Sequence, residues 1–209
     1  MLFYVFEEVY PNTPKRILDA QMNLLGTHDT ERILTALAGE HRADITNAEL
    51  RKKRMSEEER ALGKQRLKML YTVLATLPGM PMIYYGDEVG LEGYSDPFNR
   101  MPYPYGKEDG ELLSHYMKIG MIRKKNSAYK RGDFSLISLT NSHLIFTREA
   151  NASIYLTVLN QGNGSMKISL SEKGLDLLSD KKGKEFTILP GSATIIKTKK
   201  EFNLCINEG

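Results

Sequence analysis

Residues 23–32 read NLLGTHDTER: an apolar run that breaks at Gly26-Thr27 and then sets an imidazole and a carboxylate, His28 and Asp29, side by side. Residues 80–88, MPMIYYGDE, repeat the plan, with an apolar and aromatic run that breaks at Gly86 and delivers Asp87 and Glu88. Each run reads as a short buried strand, over 21–27 and 80–86, with polar chemistry at its carboxyl end. Between them, TERILTALA at 30–38 and the segment 56–78 read as helices. In the second, Ser56 with Glu59 three places on makes a capping box. Leu62, Leu70, Val73, Leu74 and Leu77 supply its apolar face, and Pro78-Gly79 stops it. Strand, helix, strand implies parallel strands joined by crossover helices. Two such strands leave both sheet faces to be covered by something else.

Working outward, residues 87–108 are broken repeatedly by Gly and Pro and read as one long loop, a length that in compact domains is usually functional. Residues 110–125 return to a helix, with Leu112, Leu113, Tyr116, Ile119 and Ile122 on one side. Near residue 130 the pattern changes. Strand-like runs follow at 134–139, 143–149, 153–160, 165–170, 185–189 and 192–198, separated by turn signals at Asn141-Ser142, Asn151 and 161–164. The fold class expected is α/β plus all-β: an α/β part over 1–130 and a small antiparallel β-sandwich over 131–209.

The totals bound the function. The chain has 209 residues, enough for one large or two small domains. Hydrophobic residues are 41% and charged residues 26%, which supports a buried core. The net charge of +3, from 29 basic and 26 acidic residues, is too balanced to argue for a nucleic-acid partner. The basic clusters Arg51-Lys52-Lys53-Arg54 and Arg123-Lys124-Lys125 read as solvated faces. The single cysteine, Cys205, excludes an intrachain disulfide and a cysteine-rich metal site; it fits a reducing compartment, so a cytoplasmic location is expected. The opening MLFYVF is too short for a signal peptide or a membrane span, and no membrane partner is expected. The triplets Asn151-Ala152-Ser153 and Asn163-Gly164-Ser165 matter only in a glycosylating, secreting cell.

Parallel α/β folds carry their chemistry at the carboxyl ends of strands. Those ends hold His28 and Asp29, and the long loop adds Asp96, Asn99 and Arg100. Carboxylates, an imidazole and a guanidinium at one rim suit a many-hydroxyl ligand such as a sugar. Tyr84, Tyr85, Tyr94, Tyr103 and Tyr105 offer aromatic surface for its ring. The bland alternatives are a buried His28–Asp29 pair tying a loop to a strand end, and a turn or capping role for Asp87-Glu88. No metal-ligand spacing is present and no cofactor is expected; a calcium site built from scattered oxygens is not readable from sequence.

LLGTHDTER at 24–32, LPGMPMIYYGDEVGLEG at 77–93 and DPFNR at 96–100, in this order and spacing, resemble the α-amylase family of glycoside hydrolases, in its neopullulanase, cyclomaltodextrinase and maltogenic-amylase branch. RGDF at 131–134 resembles the start of that family's C-terminal sandwich. The resemblance implies that residues 1–130 are the last part of a (β/α)8 TIM barrel and that 131–209 form a C-terminal β-sandwich. It implies a retaining hydrolase of α-1,4 or α-1,6 glucosidic bonds in starch-type oligosaccharides or cyclodextrins, with α-glucan as partner; a transglycosylase of the same family is not separated from it. Asp29 matches the family carboxylate that stabilises the transition state. His28, Asp96 and Arg100 match substrate-binding positions, while Asp87 and Glu88 match the architectural end of the eighth strand. Tyr105 stands where the family commonly has Trp, and the chain contains no Trp. The family's nucleophilic Asp and acid/base Glu lie on earlier strands, and neither motif is matched. The isolated chain is therefore expected to lack activity and to self-associate through an incomplete barrel. The alternative is a non-catalytic glucan-binding or structural module.

Overall fold

A computed structural model describes residues 4–40, 45–199 and 203–208. Val5–Val9 winds as a π-helix that runs into one α-helical turn at Tyr10–Asn12. Then follow α1 (Lys15–Ala20), β1 (Met22–Leu24), α2 (Ile33–Ala38), α3 (Asn47–Leu50), α4 (Glu57–Thr76), β2 (Met80–Met82), a 3-10 turn at Asp87–Val89, α5 (Gly110–Lys125) and α6 (Ala128–Arg131).

The long helix α4 starts where its local chemistry dictates. The Ser56 hydroxyl accepts from the Glu59 amide at 3.1 Å, and the Glu59 carboxylate accepts from the Ser56 amide at 2.7 Å. This satisfies two of the helix's otherwise orphaned donors. Its buried surface is wider than the one stripe expected. Leu67 and Tyr71 pack with Ile33, Leu34, Leu112, Tyr116 and Ile119 of α2 and α5. Met69 and Val73 pack instead with Phe6, Leu144, Phe146 and Leu159. Leu62, expected on the apolar face, is exposed, because at this level the helix packs on α2 through the adjacent Gly63, which lies against Leu34.

β1 and β2 pair in parallel, Met22 with Met80 and Leu24 with Met82. They are shorter than the sequence runs suggest, and they are not buried strands: Met22 and Met80 are each 58% exposed. The reason is that they form a sheet of two strands only among the described residues. Leu25, just past β1, does reach the cluster between α2, α4 and α5.

The second part is a seven-stranded antiparallel sheet: β3 (Asp133–Leu139), β4 (His143–Ala150), β5 (Ser153–Asn160), β6 (Met166–Asp176), β7 (Lys182–Ile188), β8 (Ser192–Lys199) and β9 (Leu204–Glu208). The order is β3-β4-β5-β8-β6-β7, with β9 also on β6. β6 runs on well past the expected 165–170. Its first half pairs with β7 and β9; past a register shift between Ser169 and Gly174, β7 pairs on at Gly174 and Leu175, while β8 takes the place of β9 at Leu175-Asp176. The sheet therefore curls back on itself. Ile145, Ile154, Leu156, Val158 and Ile196 meet Met166, Ile168, Leu170, Phe186 and Ile188 in one core. β9 escapes the sequence reading because its apolar signal is only Leu204 and Ile206, which pack against that core while Cys205 points outward.

β5 is buried along almost its whole length. One face enters the curled core; on the other, Leu159 meets α4 and Tyr155 meets Ala128 and Tyr129 of α6. At this junction Arg148, fully buried, donates to Gly132 O at 3.0 Å and Thr76 O at 3.4 Å. Burial pulls its pKa down to about 10. Arg123 is not part of a solvated face: it is half-buried and donates to Ala75 O at 2.8 Å and to Gly79 O. A cation thus meets the carbonyls at the end of α4.

Candidate active site

The turn after β1 rests on a buried polar base. Gly26 is required there, because a Cβ would lie 2.2 Å from Asp87 Oδ2. Asp87, 3% exposed, lies 3.3 Å from Arg32 Nη1. Arg32 is fully buried with its guanidinium 4.3 and 4.4 Å from the ring centroids of Tyr84 and Tyr85. Cation–π contact of this kind is strongest where the cation is desolvated. Arg32 also donates Nε to Asn99 O at 2.6 Å and Nη1 to Tyr85 O. Asn99, buried as well, donates Nδ2 to His28 O at 2.8 Å and to Thr30 O at 2.7 Å. One arginine and one asparagine therefore connect the β1 turn, the end of the β2 segment and the long loop.

Above that base the turn closes on itself. Thr27 and Thr30 hydroxyls lie 3.2 Å apart, and the Asp29 amide donates to Thr27 Oγ1 at 3.2 Å. His28 and Asp29 then project outward, with side chains 63% and 71% exposed. This removes the reading of a buried pair that ties the loop; Arg32, Asp87 and Asn99 do that work. His28 Nε2 lies 3.2 Å from Asp29 Oδ1, Asp29 Oδ1 lies 3.9 Å from Arg100 Nη2, and Arg100 Nε lies 2.7 Å from Asp96 Oδ1. The four residues singled out in the sequence form one continuous exposed chain of polar groups.

The tyrosines divide. Tyr103 and Tyr105 stand with ring centroids 4.8 Å apart, and Tyr105 is open to solvent. Tyr85 donates its hydroxyl to Met101 O at 2.9 Å. Tyr94 is only 3% exposed and drops out of the aromatic surface expected for it. Arg32 is the residue the sequence reading missed. The available signal was a lone cation directly ahead of the apolar Ile33-Leu34, a place where burial forces it to find partners.

Burial pushes the Asp87 carboxyl up to about 6, against the pull of Arg32 and with help from Glu88. A folded-state pKa above the ordinary value means ionisation costs stability. The contribution of Asp87 is full below its ordinary value of 3.8 and is lost as pH rises through about 6. Urea midpoints measured across this range are expected to fall with rising pH relative to those of Asp87→Asn. The difference between the two proteins isolates Asp87. Half-buried His115, whose pKa is pushed down by desolvation, contributes the opposite slope to both. Parallel curves for the two proteins would refute the assignment.

Residues 3–118 match the family model of the alpha-amylase catalytic domain. The chain belongs to the α-amylase family. Among curated relatives, an amylopullulanase from Thermoanaerobacter thermohydrosulfuricus is 30% identical over 203 residues, 90% of this chain and 13% of that protein. A cyclomaltodextrinase from Thermoanaerobacter pseudethanolicus is 31% identical over 183 residues, 84% of this chain and 28% of that protein. The α-amylase of Geobacillus thermoleovorans, solved in complex with acarbose, superposes with a TM-score of 0.71 at 20% identity, over 96% of this chain and 43% of that one, a likeness of fold. This member of the family thus spans between 13 and 28% of the length of the two curated relatives. It is the family that the three motifs resemble. Among its described residues no helix is long and apolar enough to cross a membrane.

Proposed function

We propose that this chain supplies the closing strands of a (β/α)8 barrel, over 1–130, and the β-sandwich that follows, over 131–209, in a retaining hydrolase of α-glucosidic bonds in starch-type oligosaccharides or cyclodextrins. The observation that carries the reading is the exposed line His28–Asp29–Arg100–Asp96 standing on a buried, hydrogen-bonded base. In this reading Asp29 accepts hydrogen bonds from sugar hydroxyls and offsets the positive charge that develops on the oxocarbenium-like sugar. His28 donates to a neighbouring hydroxyl. Arg100 holds both Asp29 and Asp96 oriented toward the ligand. The step uses no cofactor, and the single cysteine keeps a cytoplasmic location as part of the same proposal.

The bond-breaking pair is not assigned within these residues. A retaining enzyme needs a nucleophile and an acid/base roughly 5–5.5 Å apart. Asp96 is engaged by Arg100 at 2.7 Å. Asp87 has the raised pKa of an acid catalyst but lies buried behind Gly26 against Arg32, out of a substrate's reach. The test is reducing-sugar release from starch, pullulan and cyclodextrin by the 209-residue chain, alone and mixed with a polypeptide carrying the earlier barrel strands. Release only from the mixture is expected. Release by the chain alone would sink the proposal that the pair lies elsewhere. A second reading, a glucan-binding module without catalysis, is favoured by the exposed Tyr105 ring beside Tyr103. Retention on a maltooligosaccharide resin with no release in any mixture would select it.

The same proposal predicts self-association. Met22, Leu24, Met80 and Ile83 are exposed on and beside the two-stranded sheet. Apolar surface of this kind drives association. Size-exclusion chromatography is expected to give a species larger than one chain, with hydrophobic-dye fluorescence that falls as it forms. A monomer that binds no dye would contradict it.

A further inference from the structure

Three of the four cations in the basic run at 51–54, read from the sequence as a solvated face, line a cavity of about 730 Å³. Arg51, Lys53 and Arg54 come from the segment after α3, Arg60 from α4 and Lys107 from the long loop. This volume falls within the range of about 300–1,000 Å³ typical of small-molecule sites. Two carboxylates answer this charge. Lys53 is committed to Glu40, 3.3 Å from its Oε2. Arg54 and Arg60 share Glu92, at 3.7 Å to Oε1 and 3.4 Å to Oε2, and Arg60 also donates to Gly90 O at 2.9 Å. Among the described residues, no hydrogen bond or ion pair engages the Arg51 guanidinium or the Lys107 ammonium. Two cations from separate segments thus flank one concavity with their donors unused.

We propose that this cavity binds a small, multiply charged anion of the phosphate-ester class. The unused guanidinium fork of Arg51 matches phosphate geometry and Lys107 adds a point charge, while Arg54 and Arg60, held by Glu92 and backbone carbonyls, leave the site net positive. Leu50, Phe98 and Met101 line the same space and suit the organic body of an ester. A neutral sugar is a poorer occupant, because both oxygens of Glu92 are already engaged and few acceptors remain for its hydroxyls. A nucleic acid is a poorer one too, since it needs an extended basic stripe and not a single concavity. Phe98 lies between Asp96 and Arg100, so an occupant here would brace the loop that carries them. That regulatory consequence rests on the proposed function; the binding itself does not.

The test is isothermal titration calorimetry of the whole chain with sodium pyrophosphate and with glucose 1-phosphate. Sodium chloride at matched ionic strength and maltose serve as controls. Arg51→Ala and Lys107→Ala remove exposed side chains, and circular dichroism checks that both fold. Saturable binding of either anion is expected, weakened by about tenfold in each variant, the usual worth of a charge-assisted hydrogen bond. The absence of saturable binding, or equal affinity in the parent and both variants, would overturn the site. Because the readout is binding, failure of the glucan-hydrolase reading in the mixing experiment leaves this result interpretable.

Discussion

Arg32→Ala is expected to lower the unfolding free energy by about 3–5 kcal/mol, the usual cost of removing one partner from a buried ion pair. The loss has three sources. Asp87, at 3% exposure, would keep a buried carboxylate without its cation. The carbonyls of Asn99 and Tyr85 would lose their donor. The space between the Tyr84 and Tyr85 rings would open as a cavity. Urea denaturation followed by circular dichroism measures the change, with the slope m showing whether the denatured state moved as well. Adding Asp87→Asn to Arg32→Ala is expected to recover part of the loss, because the uncompensated charge disappears. A loss under about 1 kcal/mol, the range of an ordinary surface ion pair, would mean that the base under the turn is not what holds it.

Asp29→Asn, in the mixture that restores activity, is expected to lower kcat by roughly 10²–10⁴-fold, the scale set by losing one electrostatic or proton-handling group. KM should change little, since the neutral amide still hydrogen-bonds the sugar and only the charge that answers the transition state is gone. Stability should stay within about 0.5 kcal/mol of the parent, because the side chain is on the surface. The backbone of this turn is held by Asn99 and Thr27, which the substitution leaves in place. Activity within twofold of the parent would remove Asp29 from the chemistry and leave His28, Asp96 and Arg100 as a binding patch alone.

How far the amino-acid sequence could be read depends on the range of the forces involved. The helix expected over 110–125 is α5, Gly110–Lys125, and the strand expected over 153–160 is β5. The Ser56–Glu59 capping box was legible because both partners lie within one turn. The motifs around His28-Asp29, Gly86-Asp87 and Asp96–Arg100 were legible because each is a contiguous string, and they pointed to the family that the matching domain model shows.

Other features had no local signature. β6 is longer than its apolar run because it exchanges one partner partway, β9 for β8, while β7 stays paired to both halves. β1 and β2 are exposed because strand burial is decided by what lies alongside. By itself, the sequence determined the two long helices, most strands and the family, and it singled out the four polar residues that the structure lines up at the surface, but not the short helices Lys15–Ala20, Asn47–Leu50 and Ala128–Arg131. Tertiary structure alone decided that Arg32 is buried against a carboxylate 55 positions away, and that Arg51, Lys53 and Arg54 share a cavity with Lys107. The physical reason is that capping and periodicity are satisfied between near neighbours. Desolvation and charge pairing depend on groups that only folding brings together.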